Sequence, residues 1–198
     1  FEAVVMKYNA RWLQGVMLLL LCAGVVMVFP IVLPCLSYEK VQAYTEFIGL
    51  NTEIERGKKP PLPQLLADRI GWEEKVNLVI RAYQGLTDED KKETIISAGN
   101  YGQAGAVELY GKGLPAVVSG HNNYYLWSKE RLRGNIVLHL TQAENYDRLK
   151  EWFESVEPCD GEFSSPYVSS HENNLKVFVC RGPRGSLAEM LERRKFYY

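Results

Sequence analysis

Three glycines at three-residue steps, Gly99, Gly102 and Gly105, follow the apolar run Thr94-Ile95-Ile96-Ser97-Ala98 and interleave with Asn100, Tyr101 and Gln103. A turn of this composition between a strand and a helix lets backbone approach a ligand and presents free helix N–H groups to a phosphate or pyrophosphate. The spacing is not G-x-G-x-x-G, and no Gly-Lys-Ser/Thr follows it. Ser119 and Gly120 end the next apolar run, where a dinucleotide site carries its acidic ribose partner. Nucleotide binding is therefore disfavoured and no cofactor is expected. Glycines that serve only a tight turn and close helix packing are the competing reading.

A second cluster, Ser119-Gly120-His121-Asn122-Asn123-Tyr124-Tyr125-Leu126-Trp127, follows Ala116-Val117-Val118. Its amides supply paired donors and acceptors for sugar hydroxyls, and its flat rings suit the apolar face of a sugar, so a carbohydrate is the chemically matched ligand. His121 titrates near neutrality and has the chemistry of an acid or base. In the other reading the asparagines satisfy their own backbone while Tyr125 and Trp127 pack in the core.

A third polar group, His171 with Glu172, Asn173 and Asn174, precedes the strand-like Lys176-Val177-Phe178-Val179-Cys180. In a parallel sheet it enters at the edge opposite the strand carboxyl ends, so a structural turn is expected there. Cys159 and Cys180 are the cysteines of the soluble part. A disulfide between them and two unpaired thiols are both open. No C-x-x-C, H-x-H or H-E-x-x-H spacing occurs, and no metal site is expected.

These clusters need elements to hold them. Apolar positions Leu66, Ile70, Trp72, Val76, Val79, Ile80 and Tyr83 recur at three- and four-residue steps and predict helix, with Gly71 as a possible break. Thr87 followed by Asp88, Glu89 and Asp90 reads as a capped helix start leading into the strand Thr94 to Ala98. Ala104, Val107 and Tyr110 fit a helix closed by Gly111 and Gly113. A strand from Asn135 to Leu140 is followed by the capping box Thr141-Gln142-Ala143-Glu144, with Leu149, Trp152, Phe153 and Val156 as the buried stripe of its helix. Ser186 to Glu189 opens a last helix through Arg194. Strands alternating with helices predict an α/β fold: a mostly parallel, Rossmann-like three-layer sheet with helices on both faces and a ligand crevice beyond the strand carboxyl ends.

One segment lies outside that scheme. Residues 12–36 carry no charge and one strongly polar side chain, Gln14, and hold the run Val16-Met17-Leu18-Leu19-Leu20-Leu21. About 20 apolar residues cross a bilayer as a helix, so a transmembrane segment is expected, with a cleaved signal peptide or a buried core helix as the alternatives. Lys7 and Arg11 precede it and place residues 1–11 in the cytoplasm and everything after residue 36 on the extracytoplasmic side of the cell membrane. Gly57-Lys58-Lys59-Pro60-Pro61-Leu62-Pro63 closes a linker or strap over 37–63, leaving 64–198 as the soluble α/β domain. A start at Phe1 reads as a piece of something longer. The net charge of −1 offers no basic stripe for nucleic acid, which is not expected as a partner.

Several of these motifs together carry a resemblance. Leu62-Pro63-Gln64 with Ala67 to Glu74, Gly99 to Ala106, Ser119 to Tyr124 with Leu126-Trp127, Glu172-Asn173-Asn174-Leu175 and Val179-Cys180-Arg181-Gly182 resemble the C-terminal domain of bacterial protein-mannosyltransferase-like membrane glycosyltransferases. Residues 12–36 are similar to the last membrane helix of such enzymes, and Ser128 stands where that pattern has Gly. The resemblance implies inverting sugar transfer from a polyprenyl-phosphate donor, with the catalytic carboxyl group in an early extracytoplasmic loop and no catalytic residue in this stretch. The implied partners are the enzyme's own membrane domain, the bilayer, and a glycan acceptor or polyprenyl-phosphate sugar. Gly99, Asn100, Tyr101, Gly102, Gln103, Gly105, Ser119, Gly120, His121, Asn122, Asn123 and Trp127 are the candidate ligand contacts, with Glu172, Asn173 and Asn174 behind them. A cap without any ligand and a membrane-anchored nucleotide- or carbohydrate-binding protein are the alternatives.

Overall fold

A computed structural model describes residue 8 and residues 10–33, 35–50 and 62–197. Lys7 and the Gly57 to Pro61 part of the expected strap lie outside the described residues. Backbone contacts divide the chain into one unit of residues 1–68 with 167–169 and a second of residues 69–166 with 170–198.

The first unit contains α1 (Trp12–Val32), α2 (Tyr38–Phe47) and α3 (Gln64–Ala67). Helix α1 is long and apolar enough to cross a membrane. Leu18, Leu19, Leu20 and Val26 are all more than 60% exposed, and α1 buries none of its residues within the chain. It ends earlier than the apolar run does. Leu33 is already extended, at φ −102° and ψ 137°, because the ring of a following proline disfavours helical backbone in the residue before it. Tyr44 of α2 donates its hydroxyl to the Met27 carbonyl of α1 at 2.7 Å.

In the second unit, α4 (Trp72–Gln84) and α5 (Asp88–Lys92) precede β1 (Thr94–Ala98), followed by α6 (Tyr101–Tyr110), β2 (Val117–Val118) and α7 (Tyr124–Ser128). Then come β3 (Ile136–Gln142), α8 (Tyr146–Trp152), β4 (Phe153–Pro158), β5 (Leu175–Pro183) and α9 (Leu187–Arg193). Thr87 caps α5 as expected, its hydroxyl accepting the Asp90 N–H at 3.1 Å. Gly71, at φ +80°, separates α4 from the chain before it.

The five strands form one mixed sheet in the order β2-β1-β3-β5-β4. Pairings β1–β2 and β1–β3 are parallel, whereas β3–β5 and β4–β5 are antiparallel. The expectation of a mostly parallel sheet is thus corrected: β5 runs against the other four strands, in a gap left by the unforeseen strand β4. Phe153 and Val156, assigned from sequence to the helix of Leu149, lie in a strand that begins where α8 stops. Pro158, which cannot sit inside a helix, ends this strand at the sheet edge. The crossover from β3 through α8 to β4 skips one strand position, and β5 fills that gap by running the other way.

Alternation along the strands sorts the core into two layers. Ile95, Val137, Phe178 and Cys180 face Leu149 of α8, with Leu187 and Met190 of α9 against them. Ile96, Leu138 and Val177 point to the opposite face, where α4 and α6 lie against the sheet with Val76, Val79, Ala104 and Val107 buried. Cys159 and Cys180 stand as free thiols: Cys180 pairs across the sheet with Val156, and Cys159 N–H bonds to the Val177 carbonyl.

Candidate functional site

After β1 the chain passes into α6 on one face, and after β3 into α8 on the other. The strand order turns at this point, with β2 on one flank of β1 and β3 on the other, and the carboxyl ends of β1 and β3 form the place where open α/β sheets take their ligands. Three groups of side chains meet there.

The first is the glycine turn. Asn100 caps α6, its Oδ1 accepting the Gln103 N–H at 2.9 Å, and Gln103 Oε1 accepts the Gly99 N–H at 3.0 Å. The outward nitrogens of these amides, Asn100 Nδ2 and Gln103 Nε2, both donate to Glu172 Oε1. Glu172 Oε2 lies 2.6 Å from Lys75 Nζ, both residues are buried, and the ammonium sits 4.1 Å above the Trp72 ring. The chain's own carboxylate thus stands at the start of α6, where the glycine spacing predicts an external phosphate and where the helix dipole favours negative charge.

Glu172 reaches this place because β5 is antiparallel. Leu175 pairs with Gln142, so the beginning of β5 lies at the carboxyl ends of β1 and β3, not at the opposite edge expected from sequence. Asn173 and Asn174 behave as the expected turn. Asn173 Oδ1 accepts the N–H groups of Ser165 and Asn174 at 2.9 and 3.0 Å, and Asn174 takes a left-handed φ of +53°.

The second group is the loop after β2. His121 is buried, its ring stacked on Phe196 at 4.2 Å and edge-on to Tyr101 at 4.8 Å. Burial, and then the neighbouring His171 charge, hold its pKa below the usual histidine range. Phe196 N–H bonds to the Gly120 carbonyl and Asn122 N–H to the Phe196 carbonyl, so the segment after α9 lies along this loop. A Cβ on Gly120 would collide with the Arg194 carbonyl, so this glycine serves close backbone approach by the chain itself. Ser128 Oγ accepts the Ser119 N–H at 2.9 Å and lies 2.8 Å from the Tyr124 carbonyl, a tie that a glycine at that position lacks. Tyr101, Asn123 and Trp127 remain exposed. Trp127 packs edge-on against Tyr124, Tyr125 is buried, and no atom lies within 4 Å of a Cβ built on Gly105.

The third group is a cavity of about 50 Å³ beneath these strand ends, between the sheet and helices α8 and α9. Leu149, Trp152, Phe153 and Met190 form its apolar wall, and Ser97, His139 and Arg194 supply its polar end. Ser97 and His139 are register partners across β1 and β3. His139 Nδ1 lies 3.1 Å from the Ser97 carbonyl and Nε2 lies 2.6 Å from Arg194 Nη1. A carbonyl only accepts and a guanidinium only donates, so the imidazole is the neutral Nδ1–H tautomer. Burial and the Arg194 charge hold its pKa well below the ordinary value. Arg194 is pushed down to about 10, by burial first and then by Arg148.

Sequence reasoning missed Lys75, His139 and Arg194. The usable signal was His139, a lone polar side chain in Ile136-Val137-Leu138-His139-Leu140 whose alternation places it with Val137 facing α8. Comparison with protein-family models, curated proteins and solved structures finds no match for this chain.

Proposed function

We propose that this chain is the last membrane helix and extracytoplasmic domain of a glycosyltransferase that moves a sugar from a polyprenyl-phosphate donor to an acceptor. The domain assists binding of the acceptor or of the donor head group, with the chemistry carried in a membrane portion outside these residues. One observation carries the reading: Tyr101 and Asn123, in the turns that follow β1 and β2 at the switch of the strand order, are exposed, a ring and an amide of the kind that engage sugars. The unburied apolar surface of α1 supports a membrane setting, and Lys7 and Arg11 before it support a cytoplasmic start. The β2-β1-β3 portion with α6 as crossover supports a Rossmann-like relationship for that half of the sheet.

The full chain in lipid nanodiscs is to be titrated calorimetrically with polyprenyl-phosphate hexoses and with short oligosaccharides. Saturable binding that weakens at least about fivefold in Tyr101→Ala, the loss expected for one aromatic contact of about 1 kcal/mol, supports the role. Silence across the panel removes it.

A specific observation favours a second reading, a cap with no ligand. The Gly99 and Gln103 N–H groups and the Asn100 and Gln103 amides are all engaged by the chain itself, with Glu172 standing in for an anion. On that reading Tyr101→Ala leaves every titration unchanged.

A further inference from the structure

We propose that the cavity between the sheet and helices α8 and α9 is a binding pocket for a short-chain monocarboxylate, gripped by the guanidinium of Arg194. The pocket does not depend on the glycosyltransferase reading.

Arg194 has five N–H donors, and one of them, on Nη1, meets an acceptor, the neutral His139 Nε2. Among the described residues no carboxylate lies within ion-pair distance of it. Elsewhere in the second unit, buried Lys75 is paired with Glu172, and half-buried Arg181 and Arg131 with Asp90 and Glu108. Arg148 adds like charge near Arg194 rather than relieving it. A half-buried guanidinium that lines a cavity with no counter-charge beside it is half of an ion pair, and its planar fork matches a carboxylate bidentately.

His139 fixes that fork. Its Nδ1–H is held by the Ser97 carbonyl, so Nε2 can only accept, and it anchors the Nη1 edge of a guanidinium that lines the cavity. Size and lining select the rest of the ligand. A space of about 50 Å³ holds a few water-sized groups, since a water needs about 10–15 Å³ by the same measure. The walls are Leu149, Trp152, Phe153 and Met190, so the group behind the carboxylate is aliphatic. One cation against apolar walls matches a monoanion and leaves half the charge of a phosphate dianion unmet.

Calorimetric titration of the full chain in detergent with sodium butyrate, with neutral butyramide and with inorganic phosphate tests this. Butyrate is expected to bind saturably and at least about tenfold tighter than butyramide, the difference one charge-assisted pair makes. Arg194→Gln is expected to abolish that preference, and Met190→Phe, which fills the cavity and keeps the arginine, is expected to weaken butyrate by a similar factor. Equal binding of butyrate and butyramide, no binding of either, or binding of phosphate alone overturns the proposal. Should Arg194→Gln fail to fold, the ligand comparison on the unaltered chain and the Met190→Phe variant decide. None of these outcomes bears on the sugar titrations, so the two readings fail separately.

Discussion

Glu172 Oε2 and Lys75 Nζ, 97 residues apart in sequence, meet at 2.6 Å with both side chains buried. The pair joins the start of β5 to α4, and through Asn100 and Gln103 it also joins both to the start of α6. Breaking one partner strands the other's charge in the interior. Glu172→Gln is expected to cost about 3–5 kcal/mol, whereas Lys75→Met with Glu172→Leu together should recover much of that loss. Urea unfolding of the chain in mild detergent, followed by tryptophan fluorescence, measures the coupling. A single variant as stable as the parent contradicts the network.

Two glycines, one from each of the first two clusters, should respond in opposite directions. A methyl on Gly120 meets the backbone of Arg194 and Lys195, which cannot yield without moving the segment that stacks Phe196 on His121. Gly120→Ala is therefore expected to destabilise by about 1–3 kcal/mol. Gly105 lies inside α6 with no atom within 4 Å of the added carbon, so Gly105→Ala should stabilise by about 0.5–1 kcal/mol through helix propensity. Unfolding midpoints of the two variants give the signs directly.

The His139 imidazole predicts an acid-side loss of stability. Its folded pKa lies well below the ordinary value of 6.5, so below that pH the unfolded chain takes up a proton that the folded chain refuses. Stability should fall as pH drops through and below 6.5, by up to about 1.4 kcal/mol per unit from this group, and level off once the folded pKa is passed. His139→Gln should remove that part of the slope. Cys180 acts at the other end: its thiol is pushed up to about 12 from 9.0, so the stability it contributes is present below 9 and declines as pH rises above it.

How much of this was legible in the sequence depended on the range of the interaction. The Thr87 cap and the segment Thr94–Ala98 are local, set by propensity and by a side chain reaching three residues along, and both stand where they were expected. The stretch from Leu149 to Val156 is also local, but its apolar steps of three and one fit the end of a helix and the start of a strand alike, and pairing with β5 decides it. Strand direction is a property of the whole sheet. Once β5 reverses, Glu172 moves from the far edge to the carboxyl ends of β1 and β3, so a site residue changed ends without any local signal changing. Arg194 was invisible for a related reason: it reads as one more basic residue closing α9, and only the folded sheet puts His139 beneath it.

Helix α1 supplies the last expectation. None of its side chains is buried within the chain, and Leu18, Leu19, Leu20 and Leu21 are exposed on several sides of the helix at once, a surface that water disfavours and lipid accepts. The chain is expected to co-sediment with liposomes and to resist carbonate extraction. Leu20→Arg, at the centre of the apolar run, should oppose insertion by about 2.5–3.5 kcal/mol and shift a measurable fraction to the soluble phase. Asn135→Arg, on an exposed residue of the second unit, should leave the partition unchanged. If the unaltered chain is released by carbonate as readily as a peripheral protein, α1 does not cross the bilayer, and its apolar surface must then be covered by protein instead.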